Sequence, residues 1–399
     1  MRKIALLSLF AFLITSGLFA QTRLVNEKPL PIMAWAGIPS SETDLTRFNE
    51  LKEMGINICL NNYQNTDEMV KALEVAKVSG IRMFTSCPEL KADVDKTVKK
   101  TMNHPALAGY FLRDEPVCSD MPALGEWARK IQQTDKVHPL FVNLIASIHP
   151  TNTEALGAPS YAEYIKTFIR EVPTSLLSFD FYPVLNEGIH ERWYEGLEIF
   201  SNEAKKAGKP FWAFALASSY NELHPIPTMA ALRLQLYSNL AYGAQGLEYW
   251  AYRQSEGLRS APIDMNGKRT IVYDRIKAVN KEIQDISGVF TGSKVVSVCH
   301  TGTIIPRGTN RLFTLPKAIK VFETEGQGAL VSLLEKGEQT FFVIVNRNLR
   351  NNMPYVISGD SSLKRVLKDG TIVDATAYTN SLEIEPGDIA VYLFPTNKQ

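Results

Sequence analysis

The residues that first point to chemistry stand where an apolar run ends abruptly in charge. Residues 107–112 are mostly apolar and predict a buried strand. They are followed directly by Arg113, Asp114, Glu115 and Pro116. Carboxyl groups at the end of a barrel strand are suited to acid–base chemistry, so Glu115 is the first candidate for a catalytic acid. The competing interpretation is that Asp114 or Glu115 caps a following helix or pairs with Arg113.

General acid–base chemistry often uses a second carboxyl group beside the first, and two residues qualify. Asp180 lies in the apolar segment 178–183, and Glu248 lies in the apolar segment 246–250. A carboxylate buried without a role is costly, which makes both candidates for catalysis beside Glu115. Either acid could instead be structural, paired with Arg113 or Arg253.

Eight apolar runs alternate with amphipathic segments between residues 32 and 286, and this alternation predicts a parallel sheet covered by helices. The predicted strands are 32–37, 56–60, 83–87, 107–112, 140–144, 177–182, 211–217 and 246–252. Eight such units match the size of a (β/α)8 TIM barrel. A doubly wound open sheet is the alternative, and it is disfavoured because no glycine-rich phosphate loop follows the first strand.

In such a barrel the carboxyl ends of the strands form the active site, and here they are rich in aromatic rings, amides and carboxylates. Sugars are bound by this mixture, because rings stack on their C–H faces and polar groups pair with their hydroxyls. The predicted substrate-binding residues are Trp35, Asn62, Glu89, Arg113, Asp114, Asn143, Tyr182, Trp212, Trp250 and Tyr252. The competing interpretation is that the aromatic residues fill the barrel core or its rim.

The character of the sequence changes after a helix-like stretch at 271–286. Short β-rich segments separated by turn residues predict a small antiparallel β-sandwich. We therefore expect a catalytic barrel at residues 21–290 and a β-sandwich domain at 291–399 that supports the barrel without binding glycan itself.

The amino terminus has the pattern of a secretory signal. Arg2 and Lys3 precede an apolar run that ends at Ala20, so we expect a signal peptide over residues 1–20 and a periplasmic or secreted protein. No other stretch has the roughly 20 apolar residues of a membrane span, and no membrane anchor is expected. The four cysteines show no CxxC spacing and are predicted to be free thiols.

Composition and charge limit the classes of partner and cofactor that we expect this protein to bind. The formal net charge of +1 gives no reason to expect nucleic acid as a partner. The six histidines include no HxH or HExxH pair, so no metal or other cofactor is expected. The expected partner is a carbohydrate substrate, and the oligomeric state is not indicated by the sequence.

With these motifs in place, the sequence resembles the (β/α)8 glycoside hydrolases of clan A, particularly bacterial enzymes similar to the β-galactosidases of family 42. Asp114-Glu115-Pro116 looks like a variant of the Asn-Glu-Pro motif that carries the acid/base glutamate of the clan. The segment 237–252 looks like the eighth strand of such barrels with its preceding helix, and 382–388 looks like part of their carboxyl-terminal domains. The resemblance implies a glycoside hydrolase with Glu115 as acid/base.

The sequence departs from the clan pattern at two positions. The resemblance places a nucleophilic glutamate at the end of strand seven, where this chain reads Ala217-Ser218-Ser219 and offers only Glu222 nearby. Asp114 also stands where the clan has asparagine. We therefore expect an exported glycoside hydrolase acting on a poly- or oligosaccharide, with a non-catalytic carbohydrate-binding protein that keeps a degenerate cleft as the alternative.

Overall fold

The computed structural model describes residues 22–146, 152–378 and 382–396, and eight parallel strands in it close into a barrel. Strand β1 pairs with β8 on one side and with β2 on the other, which closes the sheet. The strands are β1 (Ile32–Ala34), β2 (Ile58–Asn62), β3 (Arg82–Ser86), β4 (Leu107–Asp114), β5 (Leu140–Leu144), β6 (Leu177–Phe179), β7 (Phe211–Leu216) and β8 (Gly246–Trp250). The predicted TIM barrel is confirmed, and the open doubly wound sheet is excluded.

Helices connect the strands and cover the outside of the barrel. They are α1 (Leu45–Glu53), α2 (Thr66–Ser79), α3 (Glu89–Ala92), α4 (Val94–Thr101), α5 (Met121–Thr134), α6 (Asn152–Leu156), α7 (Tyr161–Glu171), α8 (Trp193–Lys206), α9 (Met229–Ala241) and α10 (Ile271–Asp285). Helix α2 shows why their bounds follow the sequence. The Asn65 side chain accepts a hydrogen bond from the Glu68 N–H at its start, and Gly80 ends it with φ +76°.

The carboxyl-terminal region contains two antiparallel sheets, which confirms the predicted sandwich. Its strands are β9 (Lys294–His300), β10 (Ile319–Glu323), β11 (Ala329–Lys336), β12 (Gln339–Asn346), β13 (Met353–Gly359), β14 (Lys364–Val366), β15 (Ile372–Asp374), β16 (Leu382–Ile384) and β17 (Ile389–Pro395). One sheet has the order β9-β11-β12-β17-β14-β15, and the other has the order β10-β13-β16.

The barrel and the six-stranded sheet share one hydrophobic core. Leu330, Leu334 and Phe341 of that sheet belong to the same buried cluster as Leu234 and Tyr237 of α9. The interior of the barrel holds a separate cluster of its own. Continuous burial between the two parts holds the carboxyl-terminal sheet firmly against the barrel.

The remaining expectations on chain organisation concern the thiols and the amino terminus. Cys59 and Cys87 are buried free thiols as predicted, and Cys118 and Cys299 are free and half-buried. No helix in the described ranges is long and apolar enough to cross a membrane. The predicted signal peptide, residues 1–20, lies outside the described residues.

Candidate active site

A pocket of about 190 Å³ opens at the carboxyl ends of the barrel strands. It contains three carboxyl groups and one amide among aromatic rings. Its lining residues are Trp35, Asp114, Glu115, Asn143, Asp180, Tyr182, Phe214, Tyr220 and Trp250. Seven of them were predicted from the strand ends, so the structure brings most of the expected site together.

The end of β4 holds Glu115 in an unusual backbone conformation. Its φ is +44°, although it is followed by Pro116, a position that favours extended backbone. The Glu115 N–H donates to the Asn143 carbonyl at 2.9 Å, and the Tyr164 hydroxyl donates to the Pro116 carbonyl at 2.7 Å. Such a conformation costs about 1–3 kcal/mol and persists only where neighbours enforce it. The turn therefore fixes the direction of the Glu115 side chain.

Neither competing interpretation of the β4 carboxyl groups describes their contacts. The short helix Cys118–Asp120 that follows is capped by Asp120, whose carboxylate accepts from the Val117 N–H at 3.1 Å. Arg113 also pairs with Asp120, at 3.5 Å. Asp114 and Glu115 are thus left facing the pocket.

Each of the three carboxyl groups of the pocket has a raised pKa, and burial is the largest cause for all three. Burial and then the charges of Glu115 and Asp114 raise the pKa of Asp180 well above its ordinary value. Desolvation and then the Asp114 charge raise the pKa of Glu115, against which a hydrogen bond with Asp180 acts. Asp180 Oδ1 is buried without a hydrogen-bond partner among the described atoms. This environment keeps a proton on Asp180 and makes Glu115 a weaker acid than usual, as proton donation near neutral pH requires.

Aromatic rings form the remaining walls. Trp250 stacks on Tyr182 with ring centroids 5.2 Å apart, and Tyr220 meets the Trp250 ring edge-on at 4.9 Å. Trp35 packs edge-on against Phe214 at 5.3 Å, which fixes its ring at the base of the pocket. Rigid rings beside carboxyl and amide groups form a surface suited to a sugar ring.

Beneath the pocket a chain of polar side chains crosses the barrel interior. Asp114, Asn143 and Ser178 are register partners on β4, β5 and β6, so their side chains lie next to one another. Asn143 Nδ2 donates to Asp114 Oδ1 at 3.1 Å. Ser178 Oγ lies 3.2 Å from Asn143 Oδ1 and 2.8 Å from Glu248 Oε2. Glu248 is fully buried, and burial raises its pKa well above the ordinary value.

The prediction that Glu248 and Trp212 would reach the substrate is not supported by their positions. Glu248 and Trp250 point to the same side of β8, and so do Trp212 and Phe214 on β7, because side chains alternate along a strand. In each pair the earlier residue lies about 7 Å lower in the barrel. Trp212 packs in the core, 5.9 Å from the Phe84 ring. The structure therefore places Glu248 and Trp212 one layer below the pocket.

Three further predicted residues face other parts of the barrel rim. Asn62 and Arg113 line a neighbouring cleft of about 700 Å³, on the side of Trp127. Glu89 begins α3 and faces a separate pocket beside Lys96. Asn62 and Glu89 do not join Asp180, because β2 and β3 lie on the far side of β4 from β6. Arg113 lies on β4, but its side chain pairs with Asp120.

Tyr252 and Glu222 also lie away from the pocket. Tyr252 is 2 % exposed, and burial and then the charge of Glu50 on α1 raise the pKa of its hydroxyl. Glu222 is 91 % exposed and faces Arg259 at 3.5 Å. The described residues place no carboxyl group at the end of β7, so the expected departure from the clan pattern is present in the structure.

The ion pairs proposed for Asp180 and Glu248 are absent from the described structure. Arg253 pairs with Glu42, and Arg113 pairs with Asp120. Both buried acids are thus without a cationic partner, which agrees with their raised pKa values.

Sequence reasoning missed two pocket residues, Phe214 and Tyr220. Phe214 could have been found from the alternation of β7, since it follows Trp212 by two residues. Tyr220 lies beyond the barrel strand in a two-residue strand that pairs with Leu258–Arg259. That pairing gives no signal in the local sequence.

Metal binding finds no support in the arrangement of side chains. In the part of the chain that the structure describes, no group of three His, Cys, Asp or Glu side chains is arranged to hold a metal ion. The pocket carboxyl groups are instead paired with one another and with Asn143.

Comparison with known proteins agrees with the fold and the enzyme class that the sequence predicts. The model of the family Glyco_hydro_42, described as Beta-galactosidase, matches residues 159–286, which include Asp180 and Glu248 and are less than half of the chain. No curated protein matches the sequence.

Similar folds occur in solved glycoside hydrolase structures. A catalytic mutant of a GH42 β-galactosidase from G. stearothermophilus has a TM-score of 0.63 at 9 % identity, with 94 % of this chain and all of that chain covered (100 %). A family 39 glycoside hydrolase from Bacteroides cellulosilyticus WH2 has a TM-score of 0.53 at 10 % identity, with coverage of 93 % and 82 %.

A β-galactosidase from the psychrophilic Marinomonas ef1 has a TM-score of 0.48 at 8 % identity, and the alignment covers 65 % of this chain and 60 % of that one. At these identities the structural likeness concerns the fold. The family match and the closed barrel together confirm the resemblance and the enzyme class expected from the sequence.

Proposed function

We propose that this clan A (β/α)8-barrel glycoside hydrolase cleaves O-glycosidic bonds of a poly- or oligosaccharide by carboxylate acid–base catalysis, with Glu115 as the general acid. The observation that carries the proposal is the single pocket in which Glu115 and Asp180 meet under rigid aromatic rings. Glycoside hydrolysis uses one protonated and one ionised carboxyl group on either side of the bond to be broken, and the pocket supplies these two candidates.

Asp180 is the second carboxyl group in this proposal. It shares the pocket with Glu115, whereas Glu248 lies beneath the pocket and Glu222 points to solvent. Glu115 and Asp180 share a hydrogen bond in this structure, so a sugar ring bound for cleavage has to separate the two carboxyl groups to at least about 5 Å. The Asp180 proton can then pass to Glu115, and the Asp180 carboxylate that remains can stabilise positive charge at the sugar or activate water.

We propose further that the protein is exported. Support comes from Arg2 and Lys3 followed by the apolar run to Ala20, the pattern of a cleaved signal. Amino-terminal sequencing of protein recovered from the periplasm and the medium tests this. A mature chain that begins near residue 21 is expected, and a full-length chain retained in the cytoplasm would contradict it.

Digestion of a glycan panel tests the activity. The wild-type protein is expected to release defined sugars that mass spectrometry identifies, and Glu115→Gln is expected to lower the rate about 10²- to 10⁴-fold. Glu222→Gln is the matched control, because it makes the same chemical change in an exposed loop. Its rate should stay close to that of the wild type.

The carbohydrate-binding alternative makes a different prediction for the same panel. A glycan retained by the wild-type protein and by Glu115→Gln, with no product from either after long incubation, would overturn the catalytic proposal. The feature behind that outcome would be the β7 end, which supplies Ser218 and Ser219 where the resemblance places a nucleophile.

A further inference from the structure

We propose that Glu248 is a positioning residue which, as a neutral carboxylic acid, donates the first hydrogen bond of a relay through Ser178 and Asn143 that orients Asp114 and holds it ionised. The relay consists of Glu248, Ser178, Asn143 and Asp114. The catalytic consequence of the relay rests on the proposed function, whereas its proton arrangement does not.

The count of hydrogens in the relay requires one carboxyl proton. Ser178 Oγ lies within hydrogen-bond distance of Glu248 Oε2, at 2.8 Å, and of Asn143 Oδ1, at 3.2 Å. A serine hydroxyl has a single hydrogen, and an ionised carboxylate and an amide oxygen only accept. With Glu248 ionised, one of the two contacts would join two acceptors. A proton on Glu248 removes this conflict.

Rotating the Asn143 amide by 180° gives a second arrangement with one carboxyl proton that satisfies every contact. Asn143 Nδ2 would then donate to Ser178, Ser178 would donate to an ionised Glu248, and Asp114 would need the proton to donate to Asn143. In both arrangements the two carboxyl groups of the relay share one proton. The position of that proton depends on which end better tolerates a negative charge.

The burial of Glu248 and of Asp114 determines which of the two carboxyl groups holds the proton. Glu248 is 0 % exposed, whereas Asp114 is accessible from the pocket. Glu248 Oε1 is also buried without a hydrogen-bond partner in the described structure. An unpaired buried oxygen costs far more on a carboxylate than on a neutral acid. The proton therefore belongs on Glu248, and the negative charge belongs on Asp114.

The charged groups around the relay also favour a proton on Glu248 and a negative charge on Asp114. A negative charge on Asp114, or on Asp180 when it is ionised, disfavours the ionisation of Glu248. Its register partners, Met33 on β1 and Phe214 on β7, are apolar. Burial raises the pKa of Asp114, which faces the pocket, whereas the hydrogen bond from Asn143 and the charge of Arg113 act against this rise and favour its ionised form.

This distribution gives the relay a role in catalysis. The Asp114 charge raises the pKa of Glu115 and of Asp180, so it helps to keep a proton available in the pocket. When the relay is broken, Asn143 loses its fixed orientation and Asp114 loses a donor, which raises the pKa of Asp114. The charge that supports the proton on Glu115 then weakens.

Infrared difference spectroscopy tests the proton on Glu248 without any substrate. In the spectrum of the wild type minus Glu248→Gln near neutral pH, we expect the loss of one carbonyl stretch of a protonated carboxyl group. Loss of carboxylate stretches instead would overturn the proposal. Circular dichroism verifies that the variant is folded, and glutamine keeps a donor for Ser178 in nearly the same volume.

Kinetics of Ser178→Ala test the role of the relay, with Ser218→Ala as the matched control. Ser218 is also a buried serine, and its hydroxyl makes no hydrogen bond among the described residues. Ser178→Ala is expected to lower kcat/KM about 10- to 100-fold and to move the alkaline limb of the pH–rate profile to lower pH. Glu248→Gln should keep most of the activity, because its amide can donate to Ser178.

Two kinetic results would overturn the relay. One is a Ser178→Ala profile that superimposes on that of Ser218→Ala. The other is a Glu248→Gln variant as inactive as Glu115→Gln, which would make Glu248 an ionised catalytic base. If no glycan is cleaved by the wild type, the proposed function fails, and the infrared result still decides where the proton lies.

Discussion

At the scale of single residues, the pocket keeps acids close together that would be more stable apart. Asp180 is largely buried, has no cationic partner among the described residues and faces two other carboxyl groups. Glu115 occupies a left-handed backbone position. Strain and unfavourable burial concentrated on two neighbouring acids are typical of a catalytic site, where function is retained at the expense of stability.

The Asp180→Asn variant is therefore expected to become more stable than the wild type as pH rises. The folded-state pKa of Asp180 lies above its unfolded value of about 3.9, so its contribution to stability is fully present below that pH and is lost as pH rises through the folded pKa. Asparagine does not ionise and escapes this loss. Thermal unfolding should give equal melting temperatures for the wild type and the variant near pH 4 and a growing advantage for the variant at higher pH.

The control for this measurement is Glu222→Gln, which should change the melting temperature little because its side chain is exposed. An Asp180→Asn protein that is less stable than the wild type by the same amount at every pH would contradict the account. Asp180 would then be an ionised, stabilising carboxylate.

At the scale of elements, the sequence predicted helices better than strand ends. Amphipathic spacing predicts helices over residues 66–79, 121–134 and 161–171, and α2, α5 and α7 have these bounds. Strand β6 was predicted to reach Tyr182, but it leaves the ladder after Phe179, and the segment that follows carries Asp180 into the pocket wall. The end of β6 is set by pairing with β5 and β7, which local sequence does not reveal.

The local sequence also did not predict which layer of the barrel interior a side chain occupies. Alternation places Trp212 and Glu248 on the interior side, and this part of the expectation was sound. Which interior layer forms the pocket depends on the stagger of all eight strands, and that stagger puts Phe214 and Trp250 at the top. The predicted residues therefore lie on strands that line the pocket, and these two lie one layer below it.

Strand β4 offers a test of how an element positions the site. A Cβ added at Gly109 would collide with the Pro139 carbonyl and would lie 2.5 Å from the Phe84 ring. Gly109→Ala is therefore expected to destabilise the fold by about 3 kcal/mol and to lower activity by shifting Glu115. Chemical denaturation and rate measurement on the same preparation check this.

The matched control is Gly337→Ala, whose Cβ would enter open space at φ +61°. It should cost only the backbone penalty of about 1–2 kcal/mol and leave activity unchanged, because Gly337 lies in the turn between β11 and β12. Equal stability and activity for Gly109→Ala and the wild type would show that β4 does not hold Glu115 by close packing.

At the scale of the whole molecule, the barrel and the carboxyl-terminal sheets are joined by charge as well as by their shared core. Arg233 of α9 binds Glu282 of α10 at 2.6 Å, Glu385 at 2.7 Å and Asp388 at 3.4 Å. Lys368 adds a second cation beside Asp388. The side chain of Arg233 is only 12 % exposed, so salt screens this network little.

Arg233→Met should remove one of the two cations that join the two parts and leave Glu282, Glu385 and Asp388 with Lys368 alone. Removing one partner of a buried ion pair typically lowers the free energy of unfolding by about 3–5 kcal/mol. Because Glu385 is partly exposed, we expect a loss of about 3 kcal/mol here. Chemical denaturation at low and high salt checks both the loss and its weak salt dependence.

Lys281→Met is the control, since it removes an exposed i,i+4 pair with Asp285 that contributes about 0.5 kcal/mol or less. An Arg233→Met protein as stable as this control would mean that the apolar core alone joins the barrel to the sheets.

The most direct test of the central claim, that Glu115 and Asp180 form the catalytic pair, is the kcat of Asp180→Asn beside Glu115→Gln on the glycan that the wild type cleaves. The account predicts that each variant loses at least about 100-fold in kcat while remaining folded, and that Glu222→Gln keeps the wild-type rate. An Asp180→Asn enzyme that turns over at the wild-type rate would contradict it.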